Sequence, residues 1–387
     1  MLKKSLVIIP FNLPWEWSTD YTNQTAFVLA KENSVICYMW SETFSLKEYF
    51  QRRKFPILIK SYSKNLFLFF PIYFIPFRRF KTIVKINQKL NILLLNIFVK
   101  FLQNKKNINK KLIWVFDPST RFIIDLLGKN WSIIYDCVDF WQATAKTRKD
   151  KNTIERNEKR LTKESDLVTA ISVFMKKHLE KYRKDIHLVP QGFRVKDFEN
   201  KSNYKATKIK AKKPIIGFAG AVNDRLDYNL LLPLAKRNPN WSFVIWGPVL
   251  EEEKILEKVK LMKKELLSLP NVSTGFLKDR RKLPGVFKQF DISMIPYDVS
   301  QAFNKNCYPM KIFEFFYLGK PIVSTDIIEL RRFTNLIRIG KNVREWEEII
   351  NDLLLKKWPI NYKKEQKKLA KENSWQNKIK TITRFLK

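Results

Sequence analysis

The 387-residue chain is poor in the side chains from which metal centres and covalent cross-links are built. Its three cysteines, Cys37, Cys137 and Cys307, are widely spaced and odd in number, so they form neither a disulfide framework nor a zinc-binding spacing. That usage fits a reducing cytosol. The two histidines are expected on a helix surface (His178) and just before a strand (His187), where neither is a strong catalytic candidate. We therefore expect no metal and no cofactor.

Acidic side chains are missing from Tyr49 to Phe116, although the chain as a whole carries a formal net charge of +37. Within this stretch lies the apolar run Leu66–Phe77, LFLFFPIYFIPF, which prolines interrupt. It is shorter than the roughly 20 residues that span a bilayer, but it can enter the bilayer interface. Basic residues beside aromatic ones favour an anionic membrane surface. The residues expected to face that surface are Arg52, Arg53, Phe69, Phe70, Tyr73, Phe77, Arg78, Arg79 and Lys81.

Two alternatives to membrane binding remain open for the basic excess. It can be purely compositional, with the apolar run buried in a core. It can also be the footprint of a nucleic-acid-binding protein, because the sequence pI is near 10. No zinc-finger, RNP-like or helix-turn-helix signature is present, so we expect no nucleic-acid partner. We predict a cytoplasmic protein that is peripheral on the inner face of the plasma membrane.

Gly-Ser linkers, low-complexity tracts and internal repeats of solenoid period are also lacking. The first residues, MLKKSLVIIPF, contain an apolar run that Pro10 interrupts, so we expect Leu6–Ile9 to be a buried strand and not part of a signal peptide.

Short apolar runs alternate with helical segments along the chain, which favours an α/β fold with doubly wound parallel sheets. The length and the 45% hydrophobic content suit two domains. We place them at 1–195 and 208–372, on either side of a Lys-rich linker, with a terminal helix over 373–387. The predicted strands of the first domain are Leu6–Ile9, Val35–Tyr38, Leu112–Phe116, Ser132–Tyr135 and Leu167–Ala170, and those of the second are Ile215–Ala219, Phe243–Trp246, Val272–Gly275, Ile292–Ile295 and Ile322–Ser324.

The segment Tyr308–Glu329, YPMKIFEFFYLGKPIVSTDIIE, predicts a loop, a short helix, a Gly-Lys-Pro turn and a buried strand. Pro309 is expected in the first helical turn, with the amides of that turn pointing outward beside Lys311. Such a helix start suits a diphosphate. Glu314, three residues on, can face the same site and accept hydrogen bonds from sugar hydroxyls. Glu329 is expected to be an exposed carboxylate at a helix cap.

This segment resembles the donor-site signature of bacterial group 1, family 4-like glycosyltransferases, in which Pro-x-Lys-x-x-Glu precedes a Gly-Lys-Pro turn. The resemblance implies the GT-B fold, with two facing Rossmann-like domains and a last helix, 373–387, that crosses back to the first. It also implies a membrane-facing, acceptor-binding first domain and a second domain that binds a sugar nucleotide, most often a UDP-sugar. The acceptor would be a glycan or an undecaprenyl-linked saccharide in cell-surface polysaccharide synthesis.

The resemblance also implies donor-site roles for particular residues. Gly220 and Arg225 would meet the diphosphate, Glu314 the ribose, and Phe276 and Leu277 the base. Met310, Lys311 and Tyr297 resemble the nucleotide pocket of xanthan-type glucuronosyltransferases, and Asn306 stands where family 4 has the first of two glutamates.

Asp139, at the end of a buried strand and next to aromatic residues, is the best candidate for the catalytic base or acceptor ligand. The competing interpretation makes Asp139 a helix N-cap, while Asp136 is expected to be structural. Because Asn306 and a missing histidine depart from the family pattern, a GT-B sugar-nucleotide epimerase or a non-catalytic binder remains an alternative.

Overall fold

Buried strands and the helices between them build two α/β units in the computed structural model of the chain. The structure describes residues 2–15, 21–45, 57–77, 79–128, 130–204, 208–250, 256–277, 279–333 and 335–386. One unit comprises Met1–Gln191 with Trp375–Lys387, and the other comprises Gly192–Ser374.

The first unit contains an eight-stranded sheet in the order β10-β9-β8-β7-β1-β2-β5-β4, parallel except for β4, which pairs antiparallel with β5. A separate parallel pair joins β3 to β6. Its strands are β1 (Ser5–Phe11), β2 (Ser34–Met39), β3 (Phe44–Ser45), β4 (Ile59–Ser63), β5 (Leu66–Phe69), β6 (Ile72–Tyr73), β7 (Lys110–Val115), β8 (Ser132–Cys137), β9 (Leu167–Ala170) and β10 (His187–Leu188).

Strand β1 lies in the middle of the sheet, and its burial explains why the predicted strand segments are continuously apolar. All seven of its residues are buried, and it pairs parallel with β2 on one side and with β7 on the other, so that Leu6 lies opposite Ser34 and Lys111. Helices cover both faces of such a sheet, which removes the polar alternation of a half-exposed strand. The predicted strands of this domain are therefore recovered.

Two helices of the first unit begin where a side chain satisfies one of their free amides. Thr147 and Ser172 accept hydrogen bonds from the amides of Asp150 and Met175 and so cap two of them. The helices are α1 (Tyr21–Leu29), α2 (Lys81–Lys105), α3 (Phe122–Leu127), α4 (Arg148–Glu164) and α5 (Val173–Glu180).

The second unit contains a six-stranded, fully parallel sheet in the order β13-β12-β11-β14-β15-β16. Its strands are β11 (Ile215–Ala219), β12 (Ser242–Trp246), β13 (Val272–Gly275), β14 (Ile292–Ile295), β15 (Ile322–Ser324) and β16 (Arg338–Ile339). Its helices are α6 (Val195–Glu199), α7 (Tyr228–Arg237), α8 (Glu257–Ser268), α9 (Leu283–Phe287), α10 (Ala302–Lys305), α11 (Lys311–Tyr317), α12 (Val343–Leu355) and α13 (Ile360–Glu372). This is the strand order of a Rossmann-like unit.

The last helix, α14 (Trp375–Arg384), belongs to the first unit although it follows the second in the chain. It carries Lys378, whose side chain is 1% exposed and whose ammonium lies 3.3 Å from Oδ1 of the fully buried Asp136. The same ammonium is 3.4 Å from the carbonyl oxygen of Val189. A buried ion pair thus holds the end of the chain to strand β8.

Candidate donor-binding site

The second sheet reverses its strand order between β11 and β14, which are hydrogen-bonded neighbours. Gly220 directly follows β11, and Tyr297 lies two residues beyond β14. In open parallel sheets, ligands bind at the carboxyl ends of the strands where the order reverses. Two residues predicted from the sequence therefore stand at the position where the topology favours a ligand.

Glycine is required at two strand ends by the close approach of neighbouring atoms. A Cβ on Gly247, which follows β12, would lie 2.0 Å from the carbonyl oxygen of Gly220. A Cβ on Gly220 would lie 2.7 Å from Cε and 2.9 Å from Nζ of Lys311. The bare backbone at Gly220 thus leaves room for the Lys311 ammonium beside the strand end.

Lys311 joins this strand end to Tyr297. Its ammonium donates a hydrogen bond of 3.1 Å to the Tyr297 hydroxyl and lies 5.4 Å from the centre of the Phe218 ring. Phe218 belongs to β11 and Tyr297 is 5% exposed, so aromatic rings form one wall around the charge. The predicted residues Gly220, Tyr297 and Lys311 are therefore brought together.

Arg225 reaches the same group. Its guanidinium carbon lies 4.5 Å from the centre of the Tyr297 ring, and its Nε donates a 2.8 Å hydrogen bond to Oδ1 of Asn304. Asn304 is fully buried and its amide also donates to the carbonyl oxygens of Arg225 and Asp298. Asn304 was missed from the sequence, where an asparagine on a four-residue helix carries no signal.

The start of helix α11 differs from the expectation. The helix begins at Lys311 with Met310 as its N-cap, so Pro309 precedes the helix and is not part of its first turn. The amides of Ile312 and Phe313 donate to the carbonyl oxygens of Pro309 and Met310 at 3.3 and 3.2 Å. Met310 already has helical dihedral angles, so the chain makes a tight turn there. This turn brings the two carbonyl oxygens within hydrogen-bond distance of the amides of Ile312 and Phe313. The positive group at this position is accordingly the Lys311 side chain.

Glu314 is half-buried on the same helix. Burial raises the pKa of its carboxyl, and the positive charges of Arg280 and Lys311 oppose that rise. Asn306, in contrast, turns its side-chain amide back to the carbonyl oxygen of Ala302, 2.8 Å away, at the end of α10. The amide of Asn306 thus has a partner in its own helix.

Phe276 and Leu277 follow the edge strand β13. Phe276 is 57% exposed and Leu277 is half-buried. An exposed phenyl ring after a strand end can stack on a base, and the role of these two residues in binding the base stays a prediction.

Asp139 lies half-buried in the loop after β8 of the first unit. The next helical turn, Trp141–Thr144, has Phe140 and not Asp139 as its N-cap. The competing N-cap interpretation therefore does not describe Asp139, and its catalytic role stays a prediction.

A polar network that the sequence did not reveal lies close to that loop. The fully buried Glu158 accepts hydrogen bonds from Gln142 at 2.8 Å and from Tyr135 at 3.2 Å, and its carboxylate lies 2.8 Å from Nε2 of His178. His178 is 11% exposed, so the expectation of a helix-surface histidine was wrong. Glu329 is 3% exposed, so the exposed cap expected there was wrong as well.

The residues predicted to face a membrane do not share one environment. Phe69 is fully buried in β5 and stacks on Tyr38 at 5.4 Å, so its predicted entry into a headgroup region was wrong. Phe70 and Tyr73 are half-buried, whereas Phe77, Arg79 and Lys81 are exposed. Arg52, Arg53 and Arg78 lie outside the described residues.

Within the described ranges, no group of three or more His, Cys, Asp or Glu side chains could hold a metal ion.

Comparison with known proteins agrees with this geometry. Residues 199–373 match the family model of glycosyl transferases group 1. A protein of Bacillus subtilis (strain 168), TuaH, which is named as a teichuronic acid biosynthesis glycosyltransferase, is 28% identical over 228 residues. That match covers 56% of this chain and 55% of the relative, so it spans about half the length of each.

Two solved structures resemble almost the whole chain. Sucrose-phosphate synthase from Thermosynechococcus elongatus has a TM-score of 0.69 at 14% identity, over 99% of this chain and 98% of that one. Anabaena HepE in complex with UDP-glucose has a TM-score of 0.61 at 12% identity, over 98% of this chain and 99% of that one. The predicted GT-B fold is thereby confirmed.

Proposed function

We propose that the protein is a glycosyltransferase that moves a sugar from a nucleoside-diphosphate sugar, a UDP-sugar in the first instance, to a glycan or undecaprenyl-linked acceptor. The group 1 family match and the teichuronic acid relative support a role in cell-surface polysaccharide synthesis. The UDP-glucose complex of the HepE neighbour supports the choice of donor.

The observation that carries the proposal is the Lys311 ammonium beside the Gly220 backbone at the reversal point of the second sheet. An ammonium that aromatic rings partly shield from water interacts strongly with a phosphate. The Arg225 guanidinium, which lies against the Tyr297 ring, adds a second positive charge. The pair suits a diphosphate whose negative charge grows as it leaves.

The chemistry of transfer sets three requirements for the protein. An acceptor hydroxyl oxygen bonds to the anomeric carbon, and the bond from that carbon to the diphosphate oxygen breaks. The nucleoside diphosphate leaves with the electron pair, and Lys311 and Arg225 stabilise its charge. The hydroxyl proton passes to a base, for which Asp139 of the first unit is the proposed group, while Glu314 accepts hydrogen bonds from the ribose hydroxyls.

Titration calorimetry with UDP and with uridine tests the donor site. Lys311→Met should weaken UDP binding by about 10- to 100-fold, since a hydrogen bond to a charged group contributes about 1.5–3 kcal/mol. Uridine, which has no phosphate, should bind the variant and the native protein alike. Lys364→Met removes an exposed lysine of α13 in the same unit and is the matched control. Equal losses for UDP and uridine would contradict the placement of the diphosphate at Lys311.

Product analysis separates transfer from the epimerase alternative. Release of UDP from a UDP-sugar should require an undecaprenyl-linked saccharide acceptor. A new UDP-sugar formed without acceptor would identify an epimerase, and tight UDP binding without either product would identify a binding protein.

We also infer a cytoplasmic location, peripheral on the inner face of the plasma membrane. Support comes from the net charge of +37 and from the lipid-linked class of acceptor proposed above.

A further inference from the structure

Helix α2, Lys81–Lys105, packs on the first unit by a face that contains polar anchors. Oδ1 of Asn87 accepts from the amides of Phe74 and Ile75 at 2.8 and 3.0 Å. Asn91 accepts from the amide of Ile72 and donates to its carbonyl oxygen, both at 2.7 Å. The buried residues of this face are Asn87, Asn91, Ile92, Leu95, Val99 and Leu102.

The opposite face of α2 is apolar and exposed. At about 100° per residue, its large side chains fall within an arc of about 80°, centred opposite the buried face. We call this set the α2 stripe. It consists of Ile86 (40% exposed), Leu90 (36%), Leu93 (58%), Ile97 (58%) and Phe101 (48%).

Lysines border the α2 stripe, and the helix itself contains no acidic residue. Lys85, Lys89 and Lys100 are exposed along its edge, and Lys81 and Lys105 stand at the two ends of the helix. The sequence from Tyr49 to Phe116 contains neither Asp nor Glu. Two further exposed rings, Phe77 (60%) and Phe80 (49%), precede the helix. Apolar side chains flanked only by positive charge match the interface of an anionic bilayer.

Length and composition alone would also allow α2 to cross a membrane. The packing argues against that orientation, because Asn87 and Asn91 fasten the helix to the backbone of Ile72–Ile75. A spanning helix would have to leave these partners and carry two asparagine side chains into hydrocarbon, where unpaired polar groups are costly. A helix lying in the plane of the interface keeps every one of those hydrogen bonds.

We propose that the α2 stripe and its lysines dock the first unit onto an anionic membrane surface, with the helix parallel to the bilayer. A second copy of the chain is a poorer occupant, because two such stripes would bring rows of lysine together without any acidic partner. The inference deepens the proposed function by specifying how the enzyme meets a lipid-linked acceptor. It also moves the docking surface from the predicted set between Arg52 and Lys81, which includes the buried Phe69, to helix α2 with Phe77 and Phe80 before it.

Cosedimentation of the full chain with phosphatidylcholine vesicles, with or without phosphatidylglycerol, tests the proposal. The native protein should bind the anionic vesicles at least about tenfold more tightly, since each lysine near such a surface contributes about 1 kcal/mol. Binding should fall as salt shortens the Debye length but should not vanish, because the apolar contacts persist.

Two sets of variants separate the two contributions. Leu93→Gln with Ile97→Gln should remove most of the binding that survives high salt. Lys85→Glu, Lys89→Glu and Lys100→Glu together should remove the preference for anionic lipid. The matched control is helix α8, where Leu261→Gln, Lys258→Glu and Lys264→Glu alter an exposed leucine and two exposed lysines beside acidic neighbours. The control variants should bind like the native protein.

Three results would overturn the proposal. The first is equal binding to neutral and anionic vesicles, and the second is native binding by both α2 variants. The third is a native dimer in light scattering that Leu93→Gln dissociates, which would assign the stripe to a second copy. UDP titration of every variant keeps the two proposals apart. A variant that loses vesicle binding but keeps native UDP affinity is altered only at the membrane surface. A native protein that binds vesicles but not UDP would refute only the proposed donor site.

Discussion

Removing one partner of the buried pair between Lys378 and Asp136 should destabilise the first unit. The ammonium and the carboxylate are 3.3 Å apart, and the two side chains are 1% and 0% exposed. Asp136→Asn replaces the carboxylate by a neutral amide, so that the ammonium keeps only neutral acceptors, among them the Val189 carbonyl at 3.4 Å. Lys378→Met leaves the carboxylate with Thr169, whose hydroxyl donates to Oδ1 at 2.9 Å. Each variant retains one buried charge without its ionic partner.

The expected loss for either single variant is about 3–5 kcal/mol, the usual cost of an unpaired buried charge. The double variant Asp136→Asn with Lys378→Met buries no charge at this position. Its loss should therefore be smaller than either single loss, and a double-mutant cycle should give a coupling energy of several kcal/mol.

The dependence on pH has a definite sign. Burial lowers the pKa of Lys378, and the nearby Asp136 opposes that shift. In Asp136→Asn the opposing charge is gone, so the pKa of the folded protein falls further below the ordinary lysine value of 10.5. The unfolded chain then binds the proton more tightly, and the free energy of unfolding rises with pH up to that ordinary value. The deficit of Asp136→Asn should accordingly shrink as the pH rises toward the ordinary lysine value of 10.5.

Urea titration followed by circular dichroism and tryptophan fluorescence measures these changes. The transition of the first unit should shift, because α14 and β8 both belong to it. Lys380→Met, an exposed lysine on the same helix, is the control and should change the unfolding free energy by less than about 0.5 kcal/mol. Single losses below about 1 kcal/mol together with zero coupling would show that the pair is not an interacting buried pair.

Three further variants test the site. Asp139→Asn should abolish acceptor-dependent UDP release while UDP affinity stays native, and turnover within threefold of native would exclude it as the base. Glu314→Gln should weaken UDP binding. Burial raises the pKa of Glu314 above its ordinary value of 4.5, so the native protein loses stability as the pH rises above 4.5. Glu314→Gln lacks this titration, so it should gain stability relative to the native protein as the pH rises above 4.5 in urea titrations, and a constant difference would contradict this. Gly247→Ala would place a Cβ 2.0 Å from the carbonyl oxygen of Gly220, so it should cost about 1–3 kcal/mol and weaken UDP binding, and native affinity would show that the Gly220 turn is not part of the site.

The second unit was the more predictable half of the fold. Its strands are short runs that are buried on both faces, and they lie between glycine, proline and polar turns, so local pattern alone sets their limits. The strands predicted at Ile215–Ala219 and Ile292–Ile295 coincide with β11 and β14. The residues that follow such strands meet at one edge of the sheet, which places Gly220 and Tyr297 close together, whereas Lys311 was predicted from the resemblance of its segment to a donor-site signature.

Residues that act through partners distant in the chain could not be predicted in the same way. Asn304 holds Arg225 across 79 positions, and Lys378 pairs with Asp136 across 242. Neither Asn304 nor Lys378 differs locally from an exposed residue of its helix. The predicted start of α11 was wrong for a different reason. The turn at Met310 places carbonyl oxygens where the amides of Ile312 and Phe313 bond to them, and that turn depends on backbone angles.

The apolar run Leu66–Phe77 and helix α2 show why hydrophobicity alone misplaced the membrane surface. Leu66–Phe69 reads as exposed aromatic sequence, but β5 inserts between β2 and β4 and buries Phe69 in the sheet. Helix α2 carries apolar side chains both on its buried face, among the anchors Asn87 and Asn91, and in its exposed stripe. The two segments differ in whether their apolar side chains face the core or the solvent, and this decides which of them can meet a membrane. A purely compositional excess of lysine would fall on every exposed face of a helix, whereas three of the five lysines of α2, Lys85, Lys89 and Lys100, lie along one edge of the apolar stripe, which is an arrangement that an anionic interface selects.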